Sequence, residues 1–288
     1  MTPFEALPAA WLAGAAGVLG LLVGSFLNVV VHRLPRGESV VSPRSRCPAC
    51  GHQLSAWQNV PLLSFAWLRG RCGGCAAPIS WRYPGIELLT GLLFAAVAWR
   101  IGATPFLPLL LAFAAALVAA GAIDFDHRII PDEISLGGLA VALVGVPLAA
   151  WVAGSAWLDA FGISVAGALL GSGLLWLVGF VHARICVALG REFEHWPGKD
   201  EELPRPGSLD YWTWFPGIGF GDVKLLAMIG AVLGPRGVLA TILAASVAGL
   251  FAGLVWVAIT RRPSAPFGFG PAIAAGALFV LLAPVRLV

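Results

Sequence analysis

The run GFGDVKLLAMIGAVLG, residues 219–234, places an aspartate and a lysine at the head of a stretch that otherwise reads as membrane-spanning. A charge at the edge of the hydrocarbon is costly, and it is kept for a substrate pathway, a proton relay or catalysis. The rest of the chain supports the membrane reading. Of its 288 residues, 59% are hydrophobic and 11% charged, too apolar a balance for a water-soluble globule. The opening MTPFEALPAAWLAG has no Lys or Arg before its first apolar run, so it lacks the basic region of a cleavable signal peptide and reads as a retained span.

Apolar stretches of about 20 residues predict helical spans near 8–31, 84–101, 104–123, 134–153, 159–183, 221–235, 237–259 and 267–286. The expectation is an all-α polytopic membrane protein of about eight transmembrane helices. The last-but-two and last-but-one spans are divided only by GPRG at 234–237, so a re-entrant hairpin there would change the count. With the N-terminus outside, segments 32–83, 124–133, 184–220 and 260–266 face the cytoplasm. All of the 18 Lys and Arg except Arg100, Arg236 and Arg286 then fall inside, as the positive-inside rule requires. The net charge of +3 therefore follows topology, and no nucleic-acid-binding tract is present in the sequence. The chain divides into a first helix with a connecting arm (1–35), a cytoplasmic segment (36–83) and a membrane core (84–288). The core carries an irregular loop at 184–220, rich in Pro, Gly and charge, whose aromatic end (Tyr211, Trp212, Trp214) suits the membrane interface.

Four of the five cysteines form two C-x-x-C pairs, Cys47 with Cys50 and Cys72 with Cys75, separated by 21 residues. Each such turn aims two thiolates at one point, and two turns close a tetrahedron around zinc with no position left for substrate. The segment therefore reads as a small ribbon-like structural zinc domain. Disulfides compete poorly in a reducing cytoplasm. His52 could replace one thiolate, although a solvated loop histidine is the simpler reading, and Cys186 reads as a small buried hydrophobe. Arg44, Arg46, Arg69, Arg71 and Arg82 around the module could face anionic membrane lipid.

Only two cytoplasmic segments set carboxylates at the mouth of a span: AIDFDHRIIPDEI at 122–134 and the opening GFGD. Asp124 sits deepest in the first. Asp126 lies about 200° further round a helix and faces elsewhere, and N-capping accounts for Asp132 after Pro131. Asp222 heads its helix, where the exposed amides favour a carboxylate. Lys224 reads as a snorkelling side chain. Two membrane-edge aspartates on separate helices can relay protons, bind a metal, or share one proton and activate water for peptide hydrolysis.

These residues resemble a known family. GSFLNVVVHRLP (24–35), the two C-x-x-C pairs, SWRYPGIELLTGLLF (80–94), IDFDHRIIPD (123–132) and GFGDVKLLAMIGA (219–231) occur in the order found in type IV prepilin leader peptidases with N-methyltransferase activity, of the G-x-G-D aspartyl protease group. The resemblance implies that Asp124 and Asp222 are catalytic. It implies prepilin and pseudopilin substrates whose basic leaders are cut at the cytoplasmic face of the bacterial inner membrane. It also implies methylation of the new N-terminus from S-adenosylmethionine, for which no glycine-rich donor loop is visible in the sequence. Asn28 and Glu87, polar residues within spans, are candidates for substrate or cofactor contacts or for interhelical hydrogen bonds. FPGIGFGD departs from the family's short E-x-M-G-x-G-D. The competing classes are a transporter or proton relay using the same aspartates, and a membrane-anchored assembly protein that docks through its zinc module.

Overall fold

The apolar run that opens at Gly219 turns at Gly234, whose φ of 70° and ψ of 179° lie outside helical geometry. The computed structural model describes residues 8–190, 205–213, 219–260 and 268–283. Within these, the helices are α1 (Ala9–Arg33), α2 (Leu63–Trp67), α3 (Arg82–Ile101), α4 (Leu107–His127), α5 (Asp132–Val152), α6 (Trp157–Ala188), α7 (Leu209–Thr213), α8 (Phe220–Thr260) and α9 (Gly270–Leu282). Among the described residues β pairing is confined to two isolated bridges.

Helix α8 is two arms. Gly234 breaks the helix and Pro235, which needs no hydrogen-bonded N–H at a first turn, restarts it. A Cβ placed on Gly230 would lie 2.8 Å from a methyl of Val238. Eight residues of straight helix would separate those positions by about 12 Å, so the arms fold back on each other. The first arm, 220–233, is about 21 Å long, short of a hydrocarbon core of about 30 Å. Among the described residues, six helices are long and apolar enough to cross a membrane: α1, α3, α4, α5, α6 and α8, with α9 a shorter apolar helix of 13 residues. The expectation of eight separate spans is revised accordingly, because two of them are arms of one bent helix.

Close packing depends on small residues, the usual device where lipid removes the hydrophobic drive for helix association. A Cβ on Gly20 or Gly24 of α1 would come within 2.6 Å of the Thr90 carbonyl or 2.7 Å of Glu87 Cα on α3. Gly167 and Gly171 of α6 meet Gly230 and Leu226 of α8 backbone to backbone. The most enclosed span is α4, whose Leu117 is buried with Leu225, Ile229, Ile273 and Leu281, and whose Ile123 is fully buried. Facing outward are Val144, Leu169 and Leu243, each about two-thirds exposed, a surface suited to lipid rather than water.

Two further expectations change. The loop reading of 184–220 begins too early, since α6 continues to Ala188, and residues 209–213 form α7, with Ser208 Oγ accepting the Tyr211 N–H at its start. Helix α7 docks on the end of α6: Trp212 stacks on Phe180 and Trp176, and the Arg184 guanidinium lies 3.7 Å over the Tyr211 ring. Trp214, residues 191–204 and 215–218, the loop 261–266 and the expected span ends at 267 and 284–286 lie outside the described residues.

Candidate functional site

Helix α4 ends where Arg128 takes a left-handed conformation and its N–H caps the Asp124 carbonyl. That stop leaves the Asp124 side chain one turn inside the helix end, 6% exposed. Its Oδ2 accepts the backbone N–H of Gly270 at 3.1 Å, from the first residue of α9. The exposed amides of a helix start suit a carboxylate. Gly268 and Gly270 both press on this group: a Cβ on either would fall 2.5 or 2.7 Å from Asp124 Oδ2.

Asp222 occupies the first turn of α8, 8% exposed, its N–H bonded to the Gly219 carbonyl at 3.0 Å. Gly219 faces the Asp222 carboxylate, and Gly221 lies so close to Ile130 that a Cβ would be 3.1 Å from the Ile130 Cβ. The glycines of GFGD therefore allow the start of α8 to close on the Ile130–Pro131 segment. The start of α8 thus stands beside the segment that follows α4, and Asp124 and Asp222 lie at the same end of the bundle.

Two other aspartates of this end are paired. Asp126 forms an ion pair with Arg82, which also donates to the Ala122 carbonyl at 3.2 Å, so α3 is fastened to the last turn of α4. Asp132 makes no side-chain cap; Pro131 holds the N-cap position of α5. Asp132 instead pairs with Lys224, which corrects both the capping reading of the aspartate and the snorkelling reading of the lysine. That pair ties the start of α5 to the start of α8, the two segments that bracket the buried aspartates.

The cysteine segment lies between α1 and α3. All four sulfurs fall within 4.8 Å of one another, and Cys47 Sγ to Cys75 Sγ is 3.9 Å. A zinc–sulfur bond of about 2.3 Å in a tetrahedron separates its ligands by about 3.8 Å, so the donor set fits that ion. The two turns repeat one another. Cys47 and Cys72 donate their N–H groups to His52 and Ala77, and the residue after each second cysteine, Gly51 or Ala76, has positive φ. Backbone N–H groups of Cys75 and Gly74 favour the Cys72 thiolate and bring its pKa down to about 6. His52 is outside the sulfur cluster, packed against Gly74. Cys186 is buried, 3.5 Å from His182 Nε2.

Asn28 and Glu87 hold the protein together. Asn28 donates to the carbonyls of Gly24 and Tyr83, linking α1 to α3. Glu87 Oε2 accepts the N–H of Leu62, which has positive φ and precedes α2, at 2.9 Å. A membrane helix thereby grips the cysteine segment. Sequence reasoning missed Gly268 and Gly270. The available signal was the tripeptide GFG, which stands at 219–221 before one buried aspartate and again at 268–270 against the other.

A family model for the Bacterial Peptidase A24 N-terminal domain matches residues 18–101, and one for the Type IV leader peptidase family matches residues 111–254. The chain belongs to the type IV leader peptidase family. It is 41% identical to a prepilin leader peptidase/N-methyltransferase of Myxococcus xanthus over 85% of its own length and 63% of that protein's. A protein of the same name from Stutzerimonas stutzeri is 36% identical over 98% of this chain and 95% of its own, and one from Aeromonas hydrophila 35% over 92% and 88%. No solved structure matches the chain. Its long apolar helices make it a multi-pass membrane protein. The peptidase model spans both Asp124 and Asp222 but stops short of Gly270, the residue that holds Asp124.

Proposed function

We propose that this protein removes the basic leader from prepilins and pseudopilins with Asp124 and Asp222, at the cytoplasmic face of the inner membrane, and then methylates the new N-terminus. The observation that carries the reading is two buried carboxylates from different helices at the same end of the bundle, with Gly270 N–H fixing one of them. Like charges at close range share a proton. One carboxylate takes a proton from water as the water attacks the scissile carbonyl, and the other carboxyl protonates the carbonyl oxygen. The tetrahedral carbon then expels the amine, which leaves with a proton returned by the first residue.

The charge asymmetry of the loops supports the cytoplasmic placement. An apolar pilin helix can lie against the lipid-facing spans while its basic leader stays in water. Both aspartates lie at helix ends, whereas transport sites lie near the bilayer midplane, so the relay reading has less support. Residues 36–83 form the zinc domain in this account, and 84–288 the peptidase core. Four thiolates close the metal's coordination, so zinc holds that domain in shape and takes no part in the chemistry. Methyl transfer draws on S-adenosylmethionine, which supplies an electrophilic methyl group when bound. Incubation of the purified protein with a prepilin and this donor, followed by intact-mass measurement, tests the reading: the expected product has lost its leader and gained one methyl group. An unchanged mass would refute it.

A further inference from the structure

Between the two cysteine pairs runs VPLLSFAWL, residues 60–68, in which Ser64 is the one polar side chain. The run is less than half the length of a span, and apolar stretches of about this size belong in a protein core or in a membrane interface. A core does not hold this one. Leu63 is 68% exposed and Trp67 80%, one turn apart on the same face of α2, and Trp81, just before α3, is 78% exposed. Trp57 lies 6.5 Å from Trp67, and Phe65 lies 4.8 Å from Trp81, so α2 carries an outward apolar and aromatic surface.

Depth, continuity and charge all choose lipid as what covers it. Leu62 takes a φ of 59°, a costly conformation for a residue with a side chain, and its N–H is held by Glu87 Oε2 at 2.9 Å. Glu87 lies five residues inside α3, about 7.5 Å of helical rise, and helical side chains lean back toward the helix start. The head of α2 therefore sits within that distance of the start of α3, close to the depth of about 5–10 Å at which interfacial helices bury their apolar faces. From the same level Leu88, Leu89 and Leu92 of α3 face outward, so the exposed apolar surface continues into the lipid-facing wall of the bundle. Residues 36–83 carry six arginines and a single acid, Glu38. Even with the two negative charges that four thiolates leave around one zinc, the balance is positive. Arg69 and Arg71 follow the apolar run directly and are exposed. A basic leader peptide is repelled by such a surface, whereas anionic lipid is attracted.

We propose that residues 60–68 are an interfacial anchor, which seats Leu63 and Trp67 in the membrane interface and lays Arg69 and Arg71 on the phosphates of anionic lipids. Tryptophan suits that layer because its ring is apolar and its N–H is not, and arginines beside it add attraction to a negative leaflet. The cysteine domain is then fastened at three places: to α1, to α3, and through α2 to the lipid itself. Glu87 sets the depth of the third. Arg82 at the start of α3 pairs with Asp126, two residues beyond Asp124, so the anchor lies at the aspartates' end of the bundle and keeps the domain at headgroup level there. The anchor depends only on the membrane-spanning helices, and not on leader removal or methylation.

The test is photo-crosslinking of the full-length protein in nanodiscs of equimolar phosphatidylglycerol and phosphatidylcholine with the same acyl chains. A diazirine amino acid replaces Leu63 or Trp67 in turn, with exposed Leu243 of α8 as the lipid control and exposed Glu38 as the water control, and adducts are read by intact mass. Positions 63 and 67 are expected to capture lipid as Leu243 does, while Glu38 captures water. An arginine near an anionic surface is worth about fivefold in binding, so phosphatidylglycerol adducts at 67 should exceed phosphatidylcholine adducts by about fivefold or more. Arg69→Gln combined with Arg71→Gln should bring the two close to equal, and lipid capture at Leu243 in the same variant checks that it is folded into the bilayer. Capture of water at 63 and 67 would overturn the anchor, and equal capture of the two lipids by the protein with both arginines would overturn its anionic partner. If 63 and 67 capture water alone and become shielded only when prepilin is added, with protein adducts, the surface seats a pilin and the proposal is wrong.

Discussion

Replacing Gly270 by alanine adds one methyl group at the point where the start of α9 holds Asp124. The added carbon would stand 2.7 Å from Asp124 Oδ2, 2.8 Å from Cγ and 3.1 Å from Cβ. Ordinary van der Waals contact begins near 3.4 Å, so the carboxylate must yield by about 0.7 Å (3.4 − 2.7) or α9 must move away and lose the N–H bond. A misplacement of about 1 Å at a reacting group can cost a hundredfold. The expected result is a fall in kcat for leader removal of between about tenfold and a hundredfold, with KM little changed, because the substitution moves a reacting group rather than a binding surface. Initial rates at saturating prepilin, followed by product mass, measure it. Gly253→Ala is the control: a Cβ there meets nothing within 4 Å, and alanine in a helix interior is favoured over glycine by about 1 kcal/mol. A Gly270→Ala protein that cleaves at the normal rate would show that Asp124 takes no part in the reaction, or that its position is unimportant.

Three other outcomes are expected. Purified protein should hold one zinc per chain, and Cys72→Ser should lose it, as read by metal analysis; unchanged metal content in the variant would contradict the four-thiolate site. In intact cells a membrane-impermeant maleimide should label a cysteine introduced at Ser155 and miss one introduced at Glu38, and labelling at Glu38 would reverse the orientation. Asp222→Asn should still transfer radiolabelled methyl to a pilin supplied already cleaved, since amine methylation is mostly positioning; a folded variant that loses both activities would show that the two sites share residues.

The cysteine module was legible in the sequence because zinc coordination is encoded in local spacing, and both turns fold as that spacing requires. The spans were legible as apolar runs. Their count was not, because hydropathy does not distinguish two crossing helices from the two arms of α8, and only the backbone of Gly234 decides between them. Helix angle ranked Asp124 above Asp126, an N-capping reading set Asp132 aside, and the family resemblance chose Asp124. What surrounds the aspartates was hidden for a different reason. Arg82 pairs with Asp126 across 44 residues, Lys224 with Asp132 across 92, and Gly270 bonds Asp124 across 146. No local pattern links such positions, so the capping and snorkelling readings of Asp132 and Lys224, each sound for a single helix, were overridden by tertiary pairing. The second GFG was the one local trace of this arrangement, a glycine pair placed where a carboxylate leaves no room for a side chain.

The central claim is that Asp124 and Asp222 together are the hydrolytic centre, and the rate of leader removal from an intact prepilin by Asp124→Asn and Asp222→Asn proteins tests it most directly. Asparagine keeps the size and shape of each side chain but can neither take a proton from water nor give one to the carbonyl, so each variant is expected to lose cleavage by at least about a hundredfold. Zinc content and unfolding midpoint should stay at their normal values. Near-normal cleavage by either folded variant would contradict the account.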